Sequence, residues 1–260
     1  MDRRVQVALD LCVVVTTFNS IRTIGRCIES VKGIASRIAV VDSGSTDGTV
    51  ELCRDLGCEV IHRRWEGYAR QKAFAVSLGE RNAWTLVLDS DETLEADLCR
   101  GLREAIESAG DDVRGIEINR KMWYEGGWVH HVAFPDWVLR CGRAGALRMV
   151  DRPVHERFEA DGRVVRASGI CRHDSWDGFA DGVARQIAYA KLAAPLRRPV
   201  PLPALAGLCG AAAVVVKGLV IQRGILDGWR GFAIVAVQAI GRVAVSMAAA
   251  KAARHASEIR

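Results

Sequence analysis

The sequence predicts an α/β fold on a mainly parallel sheet, and three observations carry that prediction. Its 260 residues are 50% hydrophobic and 26% charged, enough chain to bury one substantial core or two small ones. Short apolar segments alternate with amphipathic ones over the first 110 residues, the pattern of βαβ units. The first of the apolar segments, Leu11 to Val15, has the unbroken hydrophobicity of a buried strand.

Each element follows from its residues. Leu11 to Val15 runs into Thr16-Thr17-Phe18-Asn19, and Ser20 is expected to cap a helix carrying Ile21, Ile24, Ile28 and Val31 on one stripe. Ile38 to Val41 is the second strand, Ser43 to Asp47 a turn, and Thr49 to Leu56 a helix that Gly57 terminates. Glu59 to His62 reads as a third strand and Gly67 to Leu78 as the next helix. Trp84 to Leu88 is a strand delivering Asp89-Ser90-Asp91-Glu92, after which Leu94, Leu98, Leu102 and Ile106 mark one face of a helix. Beyond residue 110 the pattern loosens into strands and loops holding Trp123, Trp128, His130, His131 and Trp137, a region suited to an acceptor site. A helix is expected from Trp176 to Ala194, and Pro199, Pro201 and Pro203 break the chain after it.

Charge divides unevenly. Residues 1 to 203 hold 29 basic and 29 acidic side chains, whereas 204 to 260 hold seven basic against two acidic, so the whole excess of +5 lies in the tail. The tail also contains uncharged runs from Ala204 to Val216 and from Gly231 to Gly241. Thirteen helical residues rise only ~20 Å, short of the ~30 Å hydrocarbon core, which favours a buried, interfacial or re-entrant segment over a span. A span continuing through Lys217 to Ile221 is the second choice. Asp10 interrupts the N-terminal apolar stretch, which argues against a secretory signal. Eight cysteines without a C-x-x-C pair spell no zinc or redox motif and are expected to be mostly buried thiols. A neutral first 203 residues and a tail without stacking aromatics exclude nucleic acid as a partner.

Two motifs carry chemistry. Asp89-Ser90-Asp91 stands at the carboxyl end of a strand, where open α/β sheets bind ligands. Carboxylates two apart part only where the backbone turns, so that one can hold a divalent cation while the other reaches the ligand. The plainer reading of the same residues is an acidic helix start. Val40-Val41-Asp42-Ser43-Gly44-Ser45-Thr46-Asp47-Gly48-Thr49 delivers Asp42 to a turn, where it can accept from a nucleobase N–H, while Ser45 and Asp47 suit a turn and cap. A phosphatase-like D-x-D-G-T reading fails because Ser45 stands where the nucleophile belongs.

VVVTTFN, VVDSGSTDGT, EGYARQKAFA and LDSDE, in this order and spacing over residues 11 to 110, resemble the family 2 glycosyltransferases and their GT-A nucleotide-sugar-binding fold. PDWVLR (135 to 140), PVHERF (153 to 158), CRHDSW (171 to 176) and GILDGWRGF (224 to 232) resemble the branch that adds glucose or a related hexose, β-1,4-linked, to lipopolysaccharide core. Thr17 and Ala73 stand where the family often has Pro and Asn. The resemblance implies a nucleotide-sugar-binding half over 1–110, an acceptor-binding half of the same domain over 111–195, and an apolar, basic helical extension over 196–260.

It further implies a metal-dependent, inverting hexosyl transfer, with UDP-glucose the expected donor and a lipid-linked lipopolysaccharide-core or other cell-envelope glycan the acceptor. Thr16, Asn19, Asp42, Lys72 and Asp89 are then donor-site residues, and Asp91 with His173 would hold Mg²⁺ or Mn²⁺. Glu156 is the first candidate for general base and Asp136 the reserve. Ion pairs of Glu156 with Arg152 or Arg157, a His173–Asp174 pair, and a solvated helix face bearing Arg70 and Lys72 are the alternative readings. The tail would lie on the cytoplasmic membrane surface by its apolar face and basic rim, or pack on the domain or a second subunit of a homo-oligomer. A non-catalytic carbohydrate- or membrane-binding module, or a transferase acting on a polyprenyl phosphate or capsule glycan, stays open.

Overall fold

The computed structural model describes residues 8–150, 157–197, 200 and 202–258. The elements in chain order are β1 Leu9–Thr17, α1 Ile24–Val31, β2 Ala35–Asp42, α2 Thr49–Asp55, β3 Glu59–His62, α3 Tyr68–Gly79, β4 Trp84–Asp89, β5 Glu92–Leu94 and α4 Ala96–Glu107. They continue with β6 Val113–Tyr124, β7 Gly127–Trp128, β8 Asp136–Arg143, β9 Leu147–Val150, β10 Arg157–Ala160, β11 Arg163–His173, α5 Gly178–Ala193, α6 Pro203–Val215 and α7 Trp229–Glu258. Two compact units are formed, Met1–Arg120 with Asp136–His173, and Lys121–Pro135 with Asp174–Arg260.

The first unit is the α/β unit. Its strands run β3-β2-β1-β4-β8-β6-β11-β5. The four from β3 to β4 are parallel, β8 joins β4 and β6 joins β8 antiparallel, and β5 lies antiparallel to β11. β1 explains why the sheet is covered twice. Its Leu11, Val13 and Val15 pack with Ile24, Ile28, Leu98 and Leu102 on one face, while Cys12 and Val14 pack with Ala75, Val76 and Phe158 on the other. A strand buried on both faces needs an unbroken apolar run, and full burial of each such side chain contributes about 1.5–3 kcal/mol.

Two local expectations are corrected. Helix α1 begins at Ile24 and not after Ser20, because the Ser20 carbonyl closes a turn with the Thr23 and Ile24 amides at 3.0 Å each. The Ser20 and Ile21 amides are meanwhile held by Thr49 Oγ1 and Asp47 Oδ2, at 2.8 and 3.1 Å. Docking onto the 43–49 turn outcompetes continuing the helix, and Ile21 is left exposed. Leu94 belongs to β5, opposite Cys171 of β11, and α4 starts two residues later.

The second unit has a small core of Tyr124, Val129, Val132, Ile234 and Val235. Its latch is Asp227. The buried carboxylate accepts the His130, His131 and Val132 amides at 2.7, 3.0 and 3.1 Å and the His131 ring at 2.9 Å. Burial opposes ionisation there, yet these bonds hold the Asp227 carboxyl below its usual range. The first apolar run is longer than thirteen residues. α6 passes into a π-helical stretch, Val216–Ile221, so the helix covers 19 residues through Lys217 and spans roughly 28 Å at α-helical rise. With α7 it makes two helices long and apolar enough to cross a membrane by length and composition. All eight cysteines are free and five are buried; burial pushes the Cys53 thiol up to about 12.

Candidate functional site

Asp42 and Asp89 close the strands on either side of β1. Thr17 stands opposite Asp42 and Thr16 opposite Asp89, which puts both carboxylates at the carboxyl edge of the parallel run.

The Asp42 carboxylate organises its own turn. Its oxygens accept the Gly44 and Ser45 amides at 2.8 and 3.0 Å, and Gly44 at φ 101° supplies the left-handed step. Asn19 then ties the loop after β1 to this turn, accepting from the Thr46 amide and donating its own amide to Ser45 Oγ, both at 2.8 Å. Gly48 is the N-cap of α2, and Asp47 just before it accepts the Thr49 amide at 3.1 Å; against the opposing effect of burial, Thr49 and Ile21 hold its carboxyl below the usual range. Gln71, on α3, donates to Ser43 Oγ at 2.9 Å from beneath.

Asp89 ends β4 and Asp91 lies in the turn that follows, so the two carboxylates take different partners. Asp89 receives Thr16 Oγ1 at 3.2 Å, Lys72 Nζ at 3.0 Å and Arg140 Nη2 at 2.6 Å. Burial alone would raise the Asp89 carboxyl, but Arg140 and Lys72 hold it far below the ordinary carboxylate range. Lys72 is buried and Arg70 exposed, so α3 turns the lysine inward and leaves the arginine on the solvated face. Asp91 Oδ1 lies 3.7 Å from His173 Nε2, which comes from the far end of β11.

Three residues that the motifs did not single out complete the arrangement. Glu92, fully buried, accepts Arg140 Nη2 at 2.6 Å, Arg120 Nη1 at 3.0 Å and the Asp89 amide at 3.0 Å. Arg120 turns its other edge to Asp136 at 2.8 Å. Against the cost of burial, Asp89 and Glu92 raise Arg140 well above its usual value, and Arg140 and Arg120 keep Glu92 ionised and lowered. The signal for Arg140 was present, since it interrupts the apolar run Trp137 to Cys141 and a charge in such a strand needs a partner. A cavity of about 670 Å³ opens here, with Lys72, Asp89, Arg120 and Arg140 in its wall.

The remaining predicted residues fall as follows. Asp136 is held in the Arg120 fork, and its amide donates to Asn119 Oδ1 at 3.0 Å. Glu156 lies outside the described residues. Trp137 has the Arg166 guanidinium over its ring at 4.6 Å, and Trp128 has Lys121 at 5.5 Å. Trp137 and Trp128 therefore each already face a cation, and His131 serves the Asp227 latch.

Asp91 and His173 suit a hard divalent cation. Among the described residues no three His, Cys, Asp or Glu side chains converge, so no all-protein cage exists. One carboxylate with one imidazole would suit Mn²⁺ better than Mg²⁺, with water and phosphate oxygens left to complete the shell.

The whole edge is the ligand-binding edge of an open α/β sheet. The profile of Glycosyl transferase family 2 matches residues 12–161, more than half of the chain, and the chain belongs to that family. An uncharacterized glycosyltransferase of Rickettsia felis is 46% identical over 84 residues, covering 32% of this chain and 29% of that protein. The lipopolysaccharide core biosynthesis glycosyltransferase LpsC of Rhizobium meliloti is 33% identical over 166 residues, 61% of this chain and 60% of that one. The chain thus spans under a third of the Rickettsia relative and about three-fifths of LpsC. Among solved structures, glucosyl-3-phosphoglycerate synthase from Mycobacterium tuberculosis, in complex with Mn²⁺, UDP and glucosyl-3-phosphoglycerate, is 20% identical at a TM-score of 0.37, covering 42% of this chain and 43% of that one.

Proposed function

We propose that the chain is a metal-dependent inverting glycosyltransferase that moves a hexose, glucose from UDP-glucose in the first instance, onto a lipopolysaccharide-core or related cell-envelope glycan. The observation that carries this reading is the divergence of Asp89 and Asp91 at the end of β4, the first locked to Lys72 and Arg140, the second 3.7 Å from His173. Family membership supports sugar transfer, and the similarity to LpsC supports the class of acceptor.

Asp91 and His173 would hold the cation. When bound, it neutralises charge on the departing nucleoside diphosphate, which is Lewis-acid assistance. Lys72 and Arg140 fix Asp89 as a carboxylate beside Thr16, and the Asn19–Ser45–Thr46 bonds hold the donor-side loops together. Asp42 keeps the nucleoside-side turn closed and retains oxygen lone pairs for a base N–H. A carboxylate takes the proton of the attacking hydroxyl, with Glu156 the first candidate. Asp136 serves in reserve only if Arg120 releases it.

The second unit supports a membrane-displayed acceptor. Pro203–Ile221 has a mean hydropathy of 2.2 with 11% of its best window buried, and Trp229–Arg254 reaches 1.8 with 28%. Apolar surface on this scale marks an interaction face, and the basic residues beside it suit the anionic cytoplasmic leaflet of the inner membrane.

The deciding experiment is hydrolysis of a panel of nucleotide sugars with Mn²⁺, with Mg²⁺ and with chelator. Release of UDP from UDP-glucose only with metal is the expected result. Failure to bind or cleave any nucleotide sugar would leave the non-catalytic module.

A further inference from the structure

Glu92 has no assigned part in the proposed reaction, although it is the most enclosed carboxylate of the first unit's site, at 0% exposure. One of its oxygens accepts both Arg140 and Arg120, at 2.6 and 3.0 Å, and the other accepts the Asp89 amide at 3.0 Å. The last bond joins a side chain to the amide three residues before it and closes the Asp89–Glu92 turn on itself. Asp91 sits inside that turn. Glu92 also stands directly opposite His173 in the β5–β11 ladder. Its carboxylate therefore clamps the turn that presents Asp91, while its backbone fixes the strand end that presents His173.

The charges form one unbroken alternating chain. Lys72, Asp89, Arg140, Glu92, Arg120 and Asp136 follow one another at 3.0, 2.6, 2.6, 3.0 and 2.8 Å, three positive and three negative. Removing the charge of Glu92 leaves Arg140 and Arg120 without their shared counterion and makes Asp89 the sole carboxylate partner of Arg140 among the described residues. Resting on the transferase reading above, we propose that Glu92 is a positioning residue for the cation-holding pair, acting through Arg140 and through the Asp89 amide. Loss of a supporting partner of this kind weakens metal binding by roughly 10- to 100-fold.

The test uses the full chain with Mn²⁺ and UDP as probes. Mn²⁺-dependent UDP binding is measured by calorimetry for wild type, Glu92→Gln, Glu92→Asp and Arg120→Gln, with folding checked by circular dichroism. Folded Glu92→Gln should lose about 10- to 100-fold in Mn²⁺ affinity in the presence of UDP, Glu92→Asp should recover part of it, and Arg120→Gln should show a smaller loss. Wild-type affinity in folded Glu92→Gln overturns the inference and leaves the transferase reading standing. Should Glu92→Gln fail to fold, wild-type affinity in folded Glu92→Asp, whose shorter side chain cannot keep both the Arg140 and the Asp89 amide bonds in place, overturns it equally. A wild-type chain that binds no Mn²⁺ with UDP removes the metal-dependent UDP-sugar reading, and this inference with it.

Discussion

Arg140 donates to Glu92 across 2.6 Å with 5% of the arginine and none of the glutamate exposed. The same Nη2 reaches Asp89 at 2.6 Å, so one guanidinium keeps two enclosed carboxylates ionised. A pair of this kind is costly to break, since removing one partner leaves a buried charge without compensation.

The first prediction concerns acid. Asp89 and Glu92 are held below the ordinary carboxylate range of about 4, so the stability they contribute is fully present above that range and is lost as pH falls through it toward the lowered values. Arg140→Gln removes the main lowering influence and lets burial dominate, moving the acid-side loss to higher pH. At neutral pH it should cost about 3–5 kcal/mol. Urea unfolding from pH 7 to pH 3 checks both statements, and superimposable pH profiles for variant and wild type would refute the first.

Asp91→Asn should keep the fold, because the side chain is partly exposed beside His173. Metal-dependent UDP binding should drop by at least about 10-fold, the lower end for a lost ligand or its support. Titration with Mn²⁺ reads this directly, and undiminished binding would move the cation elsewhere.

Glu156→Gln should bind UDP-glucose and metal as wild type does, yet transfer sugar about 100-fold more slowly or worse, the scale of a lost general base. Asp136→Asn is the companion variant. Whichever of the two preserves donor affinity while losing turnover is the base, and near-normal turnover in both would exclude the pair.

Gly101 of α4 lies against β11, where an added Cβ would fall far inside van der Waals contact with the Ser168 carbonyl oxygen and with its side chain as well. Gly101→Ala must push the helix off the strand that carries His173, at a cost of about 1–3 kcal/mol. A thermal shift and weakened Mn²⁺ binding should appear together. An unshifted melting temperature would contradict the close contact.

The membrane reading predicts flotation of the full chain with anionic vesicles. Leu205, Leu208 and Ile221 are 56, 61 and 72% exposed, so triple replacement by glutamate should leave the fold intact and abolish flotation. Removing residues 200 to 260 is a poorer test, because Ile234 and Val235 supply part of the core around Tyr124 and Val129. A chain that stays in the soluble fraction at low salt with such vesicles would dismiss the idea.

The parallel run was legible because its signal is local: β1 announces itself by unbroken apolar residues, and Asp42 and Asp89 by their place at strand ends. Glu92 and Arg120 were not, and Arg140 showed only as a charge in need of a partner, since their meaning arises when β5, β6 and β8 bring together charges 20 to 48 positions apart in sequence. The onset of α1 failed for a related reason. Ser20 had a respectable capping propensity, and a long-range bond donated by its own amide to Thr49 Oγ1 overrode it. Helix α6 was underestimated because Lys217 read as an end, whereas a lysine can extend its charge outward from a continuing helix.

Asp227 gathers the amides of residues 130 to 132, which emerge from the ribosome 95 to 97 residues earlier. At about 5–20 residues per second, those donors wait several seconds or more for their acceptor during synthesis. The stretch from 121 to 135 must therefore survive that interval without its final partner, and premature termination anywhere before Asp227 strands it for good.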